Sequence, residues 1–266
     1  MSDTEKDSLY QDLHTKTSLQ LITEINQEDQ KVALAVKAQL QAIEQLIEAL
    51  VPRMEKGGRL FYVGAGTSGR LGVVDASECP PTYGVPHGMV VGLIAGGDSA
   101  IRKAVEFAED DFEQGFKDLE AYHINETDMV VGIAASGRTP YVIGALRTCQ
   151  EKGIATGCIV CSKGSQIANV SDYPVEVNVG PEYVTGSTRM KSGTAQKLAL
   201  NMITTASMIR LGRVHGNKMI DMQLSNDKLV DRGTKMVMKS TGLDYDEAQK
   251  VLLEKGSVRL AIDSQK

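Results

Sequence analysis

The 266-residue chain has no Trp, 4 Phe, 4 Cys and 7 Pro. Four Cys spread over this length do not form a disulfide framework, so the expected setting is a reducing cytosol. No apolar run approaches the ~20 residues of a membrane span. The first twelve residues are polar and acidic, unlike a signal peptide or an Arg-rich transit sequence. Basic charge is also lacking: 29 Lys and Arg stand against 34 Asp and Glu, a net charge of −5. That balance argues against a nucleic-acid partner, whose usual footprint is a basic face. The four His (His14, His87, His123, His215) show no ligand spacing, and no metal site is assigned. Glycine is missing from the first 56 residues, yet the chain holds 26, and eleven of them fall between Gly57 and Gly97.

The Gly-free stretch 17–56 repeats apolar residues at three and four (Val32, Val36, Leu40, Ile43, Leu46, Ile47, Leu50), the period of amphipathic helices. A break is expected at Asn26–Asp29, and Gly57-Gly58 ends the second helix. The rhythm then changes to short apolar runs at 59–63, 89–94, 129–133, 156–161 and 173–179, most of them closed by Gly. Runs apolar throughout read as strands buried on both faces. Helical patterning lies between them, notably at 99–116 and 141–151. The alternation predicts an α/β fold, a five-stranded parallel sheet flanked by helices. A helix is expected within 186–211, and short amphipathic helices within 217–266, separated by Gly242 and Gly256. The organisation predicted is an N-terminal helical arm (1–56), a phosphate-binding α/β domain (57–216) and a small C-terminal helical subdomain (217–266).

Two loops stand at the carboxyl ends of strands, where open α/β sheets bind ligands. They are Gly64-Ala-Gly-Thr-Ser-Gly-Arg70 and Ala134-Ala-Ser-Gly-Arg-Thr139. Glycine permits a tight turn and close backbone approach, a helix N-terminus offers free N–H groups to an anion, and Ser and Thr add hydroxyl donors. Each loop alone is equally a capped strand-to-helix turn; the pair points to a phosphate site. The first loop reads G-x-G-x-x-G but lacks the acidic residue that would read a ribose, and neither loop carries Gly-Lys-Ser/Thr. A compact phosphate ester therefore fits better than a nucleotide.

Among the carboxylates, Glu78 precedes Cys79-Pro80-Pro81, and the residue before a proline is expected to end the helix that opens the first loop. Glu106 and Glu109 are expected to share a helix face, within a run (Glu109, Asp110, Asp111, Glu113) that base rates assign to solvent. Spacing alone does not choose among these acids. Cys158 and Cys161 lie in one strand, so they face opposite ways and read as buried thiols.

Four blocks, 64–72, 75–84, 132–141 and 188–198, closely resemble N-acetylmuramic acid 6-phosphate etherases of the sugar isomerase (SIS) superfamily. The resemblance runs from about residue 25 into the C-terminal helices. It implies a flavodoxin-like αβα sandwich and a cytoplasmic, homodimeric lyase of cell-wall recycling. That lyase would cleave the D-lactyl ether of N-acetylmuramic acid 6-phosphate without metal or redox cofactor. It also implies Glu78 as proton-donor acid and Glu109 as second catalytic acid. Gly66, Thr67, Ser68, Ser136, Gly137 and Thr139 would hold the sugar phosphate, with Lys191 nearby. Arg70 and Arg138 are either further phosphate cations or helix-surface charges. Two other functions share the module: a non-catalytic sugar-phosphate-sensing regulator and an aldose–ketose isomerase. The presence of both glutamates favours the lyase.

Overall fold

A computed structural model describes residues 3–265. After 3₁₀ turns at Asp3–Glu5 and Leu13–Thr15, helix α1 (Ser18–Lys37) starts on a capping box. Gln20 N–H donates to Thr17 Oγ1, and Thr17 N–H donates to the Gln20 side chain at 2.8 Å. The expected break at Asn26–Asp29 does not occur. Gln30 donates to Asn26 one turn back at 2.8 Å, and Glu28 turns inward. The chain breaks at Ala38-Gln39, before α2 (Leu40–Glu55). Weak helix propensity at Asn and Asp is overridden by packing of α1 through Val32 and Val36.

The sheet follows as β1 (Leu60–Gly64), α3 (Gly66–Tyr83), β2 (Val90–Ile94), α4 (Ser99–Arg102) and a 3₁₀ turn at Ala108–Asp110. The chain continues through α5 (Gln114–Glu120), β3 (Met129–Ala134), α6 (Pro140–Glu151), β4 (Ala155–Val160), α7 (Gln166–Asn169), β5 (Tyr173–Glu176) and α8 (Lys191–Arg210). All five strands pair in parallel in the order β2-β1-β3-β4-β5, the flavodoxin-like arrangement. Alternation along the strands feeds two cores. Leu60, Tyr62, Val131 and Ile159 pack with α2 and α8, whereas Phe61, Val63, Val130 and Cys158 pack with α6. At the strand starts, buried Asp128 accepts from the Arg59 backbone N–H and guanidinium, tying β1 to β3.

Two helical expectations are corrected. The stretch 99–116 is not one helix: it ends at Arg102, and Phe107 takes a left-handed conformation (φ 60°) before the 3₁₀ turn. Glu106 and Glu109 therefore do not share a helix face. In the other direction, α3 continues through Pro80 and Pro81 to Tyr83. Those prolines fall in its last turns, where Cys79 Sγ donates to Asp75 O at 3.4 Å. The helix ends one step later at Gly84, at φ 62°, whose N–H reaches Pro80 O. The last strand is also shorter than the run 173–179.

Beyond the C-terminal end of α3 lie α9 (Asp227–Thr241), α10 (Tyr245–Lys255) and α11 (Val258–Asp263). Asn226, Asp244 and Ser257 cap their N-termini, and Gly242 and Gly256 close the first two in the left-handed region. These helices share a small core of Met222, Met236, Val237, Leu252 and Val258. They join the sheet domain through Gln223 N–H to Pro81 O at 3.1 Å and through Arg259, which bridges Asp221 and Gly212 O.

Candidate active site

The order reversal of the sheet lies between β1 and β3, and both glycine-rich loops leave from there. Gly64 is in register with Ile133, so the loops emerge on neighbouring strands about 5 Å apart. In the first loop Gly66 takes φ 53° with open space where a Cβ would be. No side chain caps the first turn of α3, leaving its N–H groups unfilled. A Cβ at Gly69 would meet Gly64 O and Ile94, so this turn packs tightly on the sheet. In the second loop Gly137 takes φ 69° and abuts Ser165, and Pro140 opens α6, again with no side-chain cap at Thr139. Two helix starts without side-chain caps, side by side at a switch point, have the positive end of the helix dipole that suits an anion.

The hydroxyls of the two loops are not equivalent. Thr67, Ser136 and Thr139 have no side-chain hydrogen bond among the described residues, whereas buried Ser68 donates its proton to Gln196 Oε1 at 3.0 Å. Lys191 is engaged too. It is 2 % exposed, and its ammonium meets Glu28 Oε2 at 2.7 Å. Burial alone would raise the Glu28 carboxyl, but hydrogen bonds from Lys191, Lys31 and Tyr10 outweigh it and hold it at about 2. The start of α8 is filled by Glu182, which accepts from Lys191 N–H, Ser192 N–H and the Ser192 hydroxyl at 2.7–2.9 Å. Arg70 donates to Ala100 O and Ile101 O at 2.7 Å, pinning the end of α4. Arg138 is exposed on its loop.

Glu109 lines a cleft of about 270 Å³ together with Ala65, Gly66, Arg70 and Glu106, so the 3₁₀ turn brings this carboxylate to the first glycine-rich loop. Glu78 is elsewhere. It is exposed on α3, ten residues past Ser68, which is about 15 Å along the helix. Within one chain the two carboxylates are not brought together. The exposed or half-exposed side of α3 runs through Gly66, Arg70, Val74, Ser77 and Glu78, one stripe from the first glycine-rich loop to this carboxylate.

Sequence reasoning missed Glu28, Glu182 and Gln196, which occupy groups it assigned to a ligand. Glu28 comes from a distant segment with no motif to mark it, Glu182 precedes α8 by nine residues, and Gln196 lies within the block 188–198 but carried no signal of its own. Asp75 was likewise not singled out. It is held by the Thr204 hydroxyl at 3.2 Å, and burial raises its carboxyl above the ordinary range.

Residues 42–150 match the glucokinase regulatory protein N-terminal SIS domain, and residues 101–206 match the SIS domain. The chain is 60 % identical over 264 residues to the N-acetylmuramic acid 6-phosphate etherase of Christiangramia forsetii, covering 99 % of this chain and 96 % of the relative. It is 60 % identical over 263 residues to the protein of that name from Porphyromonas gingivalis, with the same coverage. Among solved structures, a phosphoheptose isomerase from Francisella tularensis superposes with a TM-score of 0.59 at 20 % identity, covering 73 % of this chain and 100 % of that one. At that identity the likeness speaks for the fold. Sequence identity of this order along nearly all of both chains is what assigns the finer group: the chain belongs to the N-acetylmuramic acid 6-phosphate etherase family of SIS-domain proteins.

Proposed function

We propose that the protein is a carbon–oxygen lyase acting on N-acetylmuramic acid 6-phosphate, releasing D-lactate and N-acetylglucosamine 6-phosphate. The observation that carries this reading is the near-full-length identity to etherases, on a sheet whose two uncapped loops suit a phosphate monoester. The phosphate lies on the N–H groups of Gly66, Thr67, Ser68 and Gly137, with hydroxyls from Thr67, Ser136 and Thr139. Ser68 contributes through its backbone, because its hydroxyl is taken by Gln196. Removal of the C2 proton of the opened sugar gives an enolate-like anion, and lactate leaves from C3 with a proton from a carboxylic acid. Water then adds back to C3, and C2 recovers a proton. Glu78 is the acid toward the leaving oxygen and Glu109 the partner base or water activator.

The separation of these carboxylates along α3 favours a homodimer in which Glu78 serves the partner's site. An antiparallel crossing of two α3 stripes about Val74, itself 53 % exposed, sets each Glu78 beside the other copy's Arg70, one helical turn from its Gly66. The apolar groove between α2 and α8, with Leu40 and Ile209 at its rim, extends the same contact. The setting is the cytoplasm, in recycling of cell-wall amino sugars. Among the described residues no helix is long and apolar enough to cross a membrane.

The test is lactate release from the muramic acid phosphate. Glu78→Gln and Glu109→Gln should each lose at least ~10²-fold. Mixing the two variants with subunit exchange should restore about a quarter of wild-type activity, since half the dimers carry one intact site. Near-wild-type rates for either variant remove that residue from the mechanism. Absence of recovery on mixing places both carboxylates in one chain.

A further inference from the structure

Three polar residues of the block 188–198 are used inside the protein: Lys191 by Glu28, Ser192 by Glu182 and Gln196 by Ser68. The two remaining cations of that block, Arg189 and Lys197, are exposed and make no hydrogen bond or ion pair among the described residues. Both line one groove of about 370 Å³ between the starts of α3 and α8. No carboxylate lines it, although the chain as a whole carries excess acid. Thr67 of the first glycine-rich loop forms one side, and Leu71 and Leu198 supply apolar walls. Burial raises the Asp75 carboxyl, and the charge of Lys197 is one of the influences that oppose it, so this ammonium lies on the α3 side of α8.

The groove meets the loop because Gly193 has no side chain: a Cβ there would come within 3.4 Å of Thr67 Cγ2. Lys197 is one turn further along α8, and a helical side chain leans back over the turn before it, which sets its stem beside Gly193. Arg189 is fixed by the turns around it, where Met190 N–H donates to Ser187 O at 3.1 Å and Gly193 N–H to Thr188 O at 3.0 Å. The neighbours Gly66 and Thr67 thus each line a different hollow. One carries Glu106 and Glu109, with Arg70 already pinned to α4; the other carries two unpaired cations.

The substrate proposed above carries two anionic groups, a phosphate on C6 and the carboxylate of the ether substituent on C3. The loop N–H groups and hydroxyls suit the phosphate and leave the carboxylate without a partner. A carboxylate taken out of water needs a charge-assisted partner, and a planar guanidinium matches it with two parallel hydrogen bonds. We infer that Arg189 and Lys197 hold the carboxylate of the lactyl ether, with its methyl against Leu71 and Leu198, and so select this ether over an amino sugar phosphate that lacks it. The inference rests on the lyase reading and adds the contacts for the part of the substrate that is cleaved off. A site built to pair a charged group discriminates strongly against an analogue without it. Cleavage also separates the two anions, so each product loses the advantage of being held at both ends.

The experiment compares lactate release from N-acetylmuramic acid 6-phosphate with lactamide release from its neutral carboxamide. Wild type, Arg189→Gln, Lys197→Gln and the double variant are assayed, and calorimetry measures their binding of N-acetylglucosamine 6-phosphate. For the acid, each single variant should raise KM by about tenfold or more, since each removes a hydrogen bond to a charged group. In the wild type the carboxamide should carry a similar penalty, a comparison that needs no variant. The variants should change KM for the carboxamide, and affinity for N-acetylglucosamine 6-phosphate, by less than about twofold. Circular dichroism verifies folding of each variant. Equal losses on acid and carboxamide, or weakened binding of N-acetylglucosamine 6-phosphate, would assign the cations to the phosphate or to the fold and overturn the inference. A KM for the acid that neither variant moves, or a wild type that handles carboxamide and acid alike, overturns it too. All of these leave the lyase reading standing, because the wild type still releases lactate. A wild type that releases none overturns that reading and this inference with it.

Discussion

Lys191→Met tests how a buried cation near the glycine-rich loops is used. In the folded chain Lys191 and Glu28 are 2 % exposed each and 2.7 Å apart, and Glu28 also accepts from Lys31 at 2.5 Å and Tyr10 at 3.0 Å. Removing the ammonium leaves the carboxylate buried with part of its partners, a change that typically costs ~3–5 kcal/mol. In a chain of this size that lowers Tm by about 10 °C. The pH dependence has a definite sign. Glu28 is held at about 2, below its ordinary 4.5, so its contribution is full above about 4.5 and fades as pH falls toward 2. That shift corresponds to stabilisation of about 3 kcal/mol. Urea unfolding at pH 7 and pH 3 measures both. Glu28→Gln should flatten the acid limb, and Glu28→Gln/Lys191→Met should be more stable than Lys191→Met alone. The same double variant separates packing from substrate binding. With the pair structural, its KM for the phosphosugar stays at the wild-type value. A stable double variant with KM raised tenfold would return Lys191 to the phosphate. A loss below about 1 kcal/mol in Lys191→Met, where a buried pair should cost several, would refute the argument from burial.

Three further outcomes are expected. Ser136→Ala and Thr139→Ala should each raise KM by roughly ten- to a hundredfold with smaller effects on kcat, since each removes a hydrogen bond to a charged group; steady-state lactate assays read this directly. Gly137→Ala should weaken phosphosugar binding and lower Tm, because φ is 69° and a Cβ would collide with Ser165. Calorimetry with substrate would show it, and unchanged affinity would count against the second loop. The four thiols should not react with Ellman's reagent at pH 8 until urea is added, since burial pushes Cys158 up to about 11 and Cys79, Cys149 and Cys161 to about 12.

Local patterns read correctly where the cause is local. Most strands were visible as short apolar runs closed by glycine, and Cys158 in β4 and Cys161, one residue past its end, do face opposite cores. Gly242 and Gly256 end helices because a left-handed residue was needed there. Misreadings came where a distant partner overrides local preference. Asn26–Asp29 looked like a break, but Glu28 is drawn inward by Lys191, 163 residues away. The stretch 99–116 has helical spacing, yet Val105 packs against Gly96 and the chain reverses hand at Phe107. The prolines after Glu78 looked like a stop, but the helix runs through them to Tyr83 and closes by Gly84 N–H on Pro80 O, so Glu78 stays on the helix.

The sequence by itself determined the parallel sheet, the two glycine-rich loops and the family, because strand burial and glycine turns are written in adjacent residues. Only the tertiary structure decided which polar groups remain free: Gln196 claims Ser68, Glu28 claims Lys191, and Glu182 fills the start of α8. It also set Glu109 at the first loop and Glu78 about 15 Å along α3, a separation that spacing in the chain does not encode. The physical reason is that a hydrogen bond or an ion pair depends on distance in space, and these partners are joined by the fold rather than by the order of residues.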